Sequence, residues 1–256
     1  MIEVKGLHKS FNDIPILKGV SATFEKGETN MIIGTSGSGK TVFLKCLLGL
    51  HMPEEGTISF DGRIHSNLNI KEHRQLRREI GMVFQGGALY DSLTVEENVM
   101  FPLKMFTNDT FDEMLKRVNF VLHRVNLYDS NKKYPAQLSG GMQKRVAIAR
   151  AIVMNPKYLF CDEPNSGLDP VTATVIDNLI QEITTEYQIT TVINSHDMNS
   201  VMEIGKKIIF LKNGIKAWEG SNIEMFKTEN EVIVDFVYSS NLFKKVREAY
   251  LNETNF

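Results

Sequence analysis

Hydrophobic positions in the first 60 residues recur close to every second place. Ile2, Val4 and Leu7 are separated by charged or polar residues, Ile16, Leu17 and Val20 follow, and Ile58 and Phe60 precede Asp61-Gly62. Alternation broken by glycine-containing turns predicts short strands in a largely antiparallel sheet. Met31, Ile32 and Ile33 depart from that pattern: the run is wholly apolar and a glycine-rich loop follows at once. Behind the loop, residues 42–48 are apolar on most faces, as a buried helix is. From about 90 to 155 the pattern lengthens into mixed-charge helical segments, such as 112–118, which predicts a helical insertion. Strand-like runs return at 158–161, 190–193 and 208–211 with helical stretches between them. That is the rhythm of a parallel α/β sheet. No internal repeat or low-complexity tract interrupts it.

The glycine-rich loop carries the first chemistry. Gly34, Thr35, Ser36, Gly37, Ser38, Gly39, Lys40 and Thr41 satisfy G-x-x-x-x-G-K-[ST], with the strand before and the helix after that this motif requires. Glycines let backbone N–H groups curl around an anion, and a helix N-terminus adds positive partial charge. Lys40 is expected to reach the β- and γ-phosphates of a nucleoside triphosphate, and the Thr41 hydroxyl to ligate Mg2+, a hard cation that prefers oxygen. With Val42 at the start of the helix, the expected binding set is residues 34–42. A second site closes the strand at 158–161, which ends in Asp162 and Glu163. Acids at the C-terminal edge of a parallel sheet face the ligand crevice. Asp162 is expected in the Mg2+ shell and Glu163 as the general base for an attacking water. The competing reading is that one of the two caps the next helix.

Composition narrows the remaining possibilities. The 256 residues are 42% hydrophobic and 23% charged, an ordinary globular balance with length for one or two domains. Lys+Arg 29 against Asp+Glu 31 leaves a charge of −2, with no basic excess to suggest nucleic acid as a partner. The two cysteines, Cys46 and Cys161, are far apart, which excludes a disulfide framework or a CxxC zinc site and fits a reducing compartment. No apolar run reaches the roughly 18–20 residues needed to span a bilayer, and residues 1–11 lack the apolar core of a secretory signal. Any membrane part is therefore expected from other chains.

Three further motifs give the order of features its meaning. Leu138-Ser139-Gly140-Gly141-Met142 lies between the phosphate loop and the two acids, and Ser166-Gly167-Leu168-Asp169 and Ser195-His196-Asp197 follow them. This order resembles the ATP-binding-cassette (ABC) ATPases over nearly the whole chain. The resemblance implies a RecA-like P-loop NTPase core with an N-terminal antiparallel β-subdomain and an inserted helical subdomain. It implies an ATPase using ATP and Mg2+, with the cassette over 1–228 and a C-terminal extension over 229–256. Lys40, Gln85, Glu163 and His196 form the implied catalytic set, with Gln85 reading Mg2+ and water beside Thr41 and Asp162, and His196 touching the γ-phosphate. Phe11 matches the aromatic that stacks on adenine, although a core position in the N-terminal sheet stays open for it. Ser139, Gly140 and Gly141 are implied to bind the γ-phosphate held by a second copy, so that two copies close head to tail around two ATPs. His8, His51, His65, His73 and His123 read as surface or packing residues.

Two departures separate this sequence from the common pattern: Met142 stands where most of the family has glutamine, and Asn165 lies between Pro164 and Ser166. Met142, residues 39–45 and the long run 84–103 resemble the ATPase subunits of MCE-type (Mla-like) phospholipid transporters. That implies lipid transport, a multispanning permease, an MCE-domain substrate-binding protein and a peripheral place on the cytoplasmic face of the inner membrane. The alternatives are an amino acid-type ABC transporter and a soluble ABC ATPase. A coupling surface is expected just after Gln85, where Gly86-Gly87 permits backbone freedom and Ala88, Leu89 and Tyr90 offer apolar contact. At the end of the chain, Leu242, Phe243, Val246, Ala249 and Tyr250 recur at helical spacing after Ser239-Ser240-Asn241. They predict an amphipathic helix that docks on its own chain or grips a second subunit.

Overall fold

The computed structural model describes residues 1–238, 244, 245 and 247. In chain order the elements are β1 Ile2–Phe11, β2 Ile14–Phe24, β3 Thr29–Gly34, α1 Lys40–Leu47, β4 Glu55–Phe60, β5 Arg63–Ile64, α2 Ile70–Arg78, β6 Ile80–Val83, α3 Val95–Phe106, α4 Phe111–Arg124 and α5 Gly140–Ile152. Then come β7 Tyr158–Asp162, α6 Pro170–Glu186, β8 Thr190–Asn194, α7 Met198–Ile204, β9 Lys207–Lys212, β10 Ile215–Gly220, α8 Asn222–Lys227 and α9 Glu231–Val237. The chain divides into two compact units, one of residues 1–25, 29–67 and 194–256, the other of 26–28 and 68–193.

In the first unit the alternating N-terminal pattern forms the expected antiparallel sheet, ordered β2-β1-β4-β5. Its register sets Ile2 between Phe24 and Phe60. Those three side chains and Leu7, Val20 and Phe43 are fully buried, each contributing roughly 1.5–3 kcal/mol of transfer free energy. The apolar run at 31–33 is the buried strand β3, parallel to β9, and β10 returns antiparallel along β9. Wholly buried parallel strands lack a solvent face, which is why neither β3 nor β9 alternates.

In the second unit β6 and β7 run parallel, pairing Ile80 with Tyr158 and Val83 with Cys161. The predicted helical insertion is α3, α4 and α5, and its boundaries are set by caps. Thr94 with Glu97 and Thr110 with Glu113 form capping boxes at α3 and α4, satisfying amide donors that the first helical turn leaves unpaired. Arg117 of α4 closes the other end of α5, donating from Nε to Val153 O at 2.8 Å and from Nη2 to Ile152 O at 3.1 Å.

Ser239, Ser240, Asn241, Leu242, Phe243, Val246, Ala249 and Tyr250, on which the predicted C-terminal stripe rests, lie outside the described residues. Arg247 is described. It donates to Thr228 O at 2.7 Å and Phe226 O at 3.4 Å, with its guanidinium 5.0 Å from the Tyr238 ring. These partners lie in the same unit of the chain.

Candidate functional site

The first unit holds the phosphate loop. Residues 34–39 join β3 to α1, and Thr35, Ser36 and Gly37 are exposed at its tip. Gly34 has φ 152 and Gly39 φ 101. A Cβ at Gly34 would run into the Leu211 carbonyl and stand 2.7 Å from Ser38 Oγ, so only glycine fits there. Gly39 caps α1 with no side-chain hydrogen bond, and the first turn holds no acid, so its N–H groups are left for an anion. Lys40 folds over the loop, donating to Gly34 O at 2.8 Å and Thr35 O at 3.0 Å. Ser38 is buried, and its Oγ has no hydrogen-bond partner among the described residues. An uncapped helix terminus, one ammonium and an orphaned buried hydroxyl fit a phosphate.

Two more predicted residues share this unit. Phe11 is 40% exposed, its ring edge-on to His51 at 5.1 Å with Lys9 Nζ 5.2 Å from its centroid. That exposure removes the core position left open above. His196 is exposed just past β8, where Ser195 N donates to Ile32 O of β3 at 3.2 Å. Its neighbours do local work: Asp197 N donates to Ser195 Oγ at 3.0 Å, and the Asp197 carboxylate N-caps α7. His65 packs against Phe60 and His123 against Tyr128, as packing histidines should.

The second unit holds Gln85, Asp162, Glu163, Ser139, Gly140 and Gly141. Continuing the β6–β7 register two residues past Val83 sets Gln85 opposite Glu163. Gln85 Nε2 donates to Glu163 Oε2 at 2.8 Å. Glu163 has φ 47, a left-handed conformation that costs an L-residue free energy and is held by its surroundings. The cap of α6 is Asp169, accepting from Thr172 N at 3.0 Å. The helix-cap reading of Asp162 and Glu163 is thereby removed. Asn165, the departure noted in the sequence, is buried and donates to Asp177 Oδ2 at 3.2 Å. Ser139 is the N-cap of α5, accepting from Met142 N at 3.3 Å, and is exposed with Gly140. Gly141 and Met142 are half-buried in the first turn.

Among the described residues no three His, Cys, Asp or Glu form a metal cluster. The expected set of Thr41, Gln85 and Asp162 uses a hydroxyl, an amide and one carboxylate. Thr41 belongs to the first unit and Gln85 and Asp162 to the second; oxygen donors of these kinds are those Mg2+ takes alongside waters and substrate phosphates. Both cysteines are buried and free, with burial pushing the Cys46 thiol up to about 11 and that of Cys161 higher still. Neither is placed for thiolate chemistry.

The sequence reading passed over Lys144. It lies in a charged Gln-Lys-Arg run that looks solvated, yet it is 7% exposed. The signal was present in Ala147, Ile148 and Ala151, which share its face at helical spacing and are buried. Burial pulls its ammonium below the ordinary lysine value, and the charge of Glu163 acts against that.

The sequence profile of the ABC transporter family matches residues 17–166. The chain belongs to the ABC transporter family. A methionine import ATP-binding protein of Campylobacter jejuni is 38% identical over 94% of this chain and 76% of its own length. A probable ribonucleotide transport ATP-binding protein of Mycobacterium leprae is 41% identical over 77% of this chain, which spans only 57% of that protein. Among solved structures, a bacterial ABC transporter cassette in dimeric form superposes with TM-score 0.78 at 35% identity, covering 87% of this chain and 99% of that one. The same cassette is also known as a dimer in a post-hydrolysis state bound to ADP and Pi. A Clostridium perfringens cassette, part of the cbiONQ transporter complex, gives TM-score 0.82 at 33% identity, covering 91% of this chain and 94% of that one. The fold is that of an ABC ATPase cassette, and the chain is an ATP-binding, ATP-hydrolysing ABC subunit that works with Mg2+. No described helix is long and apolar enough to cross a membrane.

Proposed function

We propose that two copies of this chain close head to tail around two ATPs and drive a multispanning permease that carries a small molecule of the amino acid class. The Gln85–Glu163 pair, 2.8 Å apart, carries the hydrolytic part of this reading. Glu163 accepts the proton of the attacking water, and Gln85, donating to the other side of the same carboxylate, fixes which oxygen faces that water. Bound Mg2+ supplies charge neutralisation at the β- and γ-phosphates. Lys40 holds those phosphates as a point charge. Ser139 and the Gly140 and Gly141 amides serve the nucleotide of the other copy, which suits the exposure of Ser139 and Gly140 at the start of α5.

The permease is proposed to seat in a groove of about 420 Å3 in the second unit, lined by Arg77, Arg78, Phe84, Tyr90, Phe101 and Arg150 among others. Aromatic walls with the Arg77 and Arg78 guanidinium groups suit a short amphipathic helix that brings a carboxylate. The groove includes Ala88 and Tyr90, where the coupling surface was expected.

For the cargo, relatives named for methionine import and ribonucleotide transport favour the small-molecule alternative over the phospholipid reading. None of them supports an MCE-domain partner. The lipid reading is kept as a second one on Met142, residues 39–45 and the run 84–103 alone. Affinity purification of the tagged chain from solubilised membranes, followed by ATPase assays of the recovered complex, tests both. A permease whose complex is stimulated by an amino acid-binding protein with its ligand supports the first reading. A complex containing an MCE protein and stimulated by phospholipid supports the second. Recovery of cytosolic proteins alone rejects the transporter role.

A further inference from the structure

Gln85 is held from behind as well as in front. Lys144 Nζ donates to the Gln85 main-chain carbonyl, and also lies 3.4 Å from Ser166 Oγ. Ser166 Oγ donates to the same carbonyl at 3.3 Å. Farther along α5, Arg150 donates from Nη1 to Ala88 O and from Nη2 to Gly87 O, both at 2.7 Å. The turn they grip is not one the chain adopts freely: Gly87 has φ 73 and Ala88 φ 48, and a left-handed alanine costs free energy. Charge-assisted hydrogen bonds are the strong kind, and two cations on one helix against three carbonyls of one turn leave the turn little independent motion.

We propose that Lys144 and Arg150 are positioning residues for hydrolysis, tying the 85–88 turn to α5 so that Gln85 orients Glu163 only where α5 allows. Neither cation touches the reacting atoms. The helix that begins at Ser139 therefore carries the Gln85 amide with it, and a displacement of α5 misplaces the base. This rests on the assignment of Glu163 as base and Gln85 as its orienter.

The test is a double-mutant cycle on the full chain, read as steady-state ATPase with Mg-ATP. Lys144→Gln keeps a donor and removes the charge; Lys144→Arg keeps the charge and tests rescue. Misplacing a catalytic group by about 1 Å costs up to ~100-fold, so kcat of Lys144→Gln should fall about 10- to 100-fold while KM changes less than about two-fold. Lys144→Arg should recover most of the loss, and Arg150→Lys, which breaks the bidentate grip, should lower kcat by a smaller factor. In a Gln85→Ala background, Lys144→Gln should add less than about a two-fold loss, because coupled residues are not additive. Full additivity in that background, or a rise in KM at constant kcat, overturns the clamp while leaving the role of Gln85 intact. Unchanged kcat in Gln85→Ala alone overturns both the Gln85 assignment and the clamp that acts through it.

Discussion

The phosphate loop and the Gln85–Glu163 pair are built in opposite ways. The loop is contiguous: eight neighbouring residues make the cradle, and its lysine bonds carbonyls five and six positions back. The pair is assembled. Gln85 and Glu163 are 78 residues apart and meet because β6 and β7 share a parallel register. Lys144 and Ser166 then reach the pair from α5 and from the loop after β7. A contiguous site tolerates displacement of its surroundings, since its geometry is fixed by local φ and ψ. An assembled site inherits every displacement of the elements that carry it. Under the proposed function, binding belongs to the first kind and hydrolysis to the second.

The largest expected effect breaks the contiguous side. Lys40→Ala should lower ATPase by at least about 100-fold and weaken nucleotide binding too, because the cation facing the phosphates is lost. Fluorescent-nucleotide titration and phosphate release measure the two. Ser139→Arg sharpens the contrast: ATPase should fall by a similar factor of about 100 from loss of a transition-state contact, with ATP affinity of the same chain unchanged. If that affinity drops as far as in Lys40→Ala, Ser139 serves its own chain's nucleotide and the head-to-tail reading fails. Phe11→Ala should weaken ATP binding with kcat little altered, since base stacking contributes about 1–3 kcal/mol. Equal affinity for ATP and a triphosphate lacking the base in the wild-type chain would contradict that role. The smallest effect is on folding. Asn165→Ala removes the amide that donates to buried Asp177, and should cost about 1–3 kcal/mol of stability with ATP affinity unchanged, read from urea unfolding.

The same division explains what could be read in the sequence. The antiparallel N-terminal sheet, β3, α1 and the phosphate loop follow from alternation, an apolar run and glycine spacing. The helical insertion followed from lengthening periodicity, whereas the capping boxes that start α3 and α4, Thr94 with Glu97 and Thr110 with Glu113, emerged only in the structure. The residues of the assembled site were visible singly, through a strand ending in Asp162-Glu163 and through family resemblance at Gln85. Their contact was not visible, because register between strands so far apart leaves no local trace. Lys144 was hidden for a related reason: its charge suggested solvent, and only the buried face it shares with Ala147, Ile148 and Ala151 indicated otherwise. Asn165 looked like a departure from a motif and is a buried partner for Asp177. Cargo has no comparable residue-level trace: Met142, residues 39–45 and the 84–103 run carried the lipid expectation by resemblance alone.

Glu163, held by Gln85, is proposed as the base of a site completed by a second copy. Glu163→Gln keeps the shape and removes the proton acceptor. Light scattering of this variant with and without saturating Mg-ATP, alongside phosphate release, tests the claim directly. Adding Mg-ATP should double the mass, with ATP retained and turnover lost. A variant that remains monomeric with Mg-ATP, or that hydrolyses ATP at the wild-type rate, would contradict it.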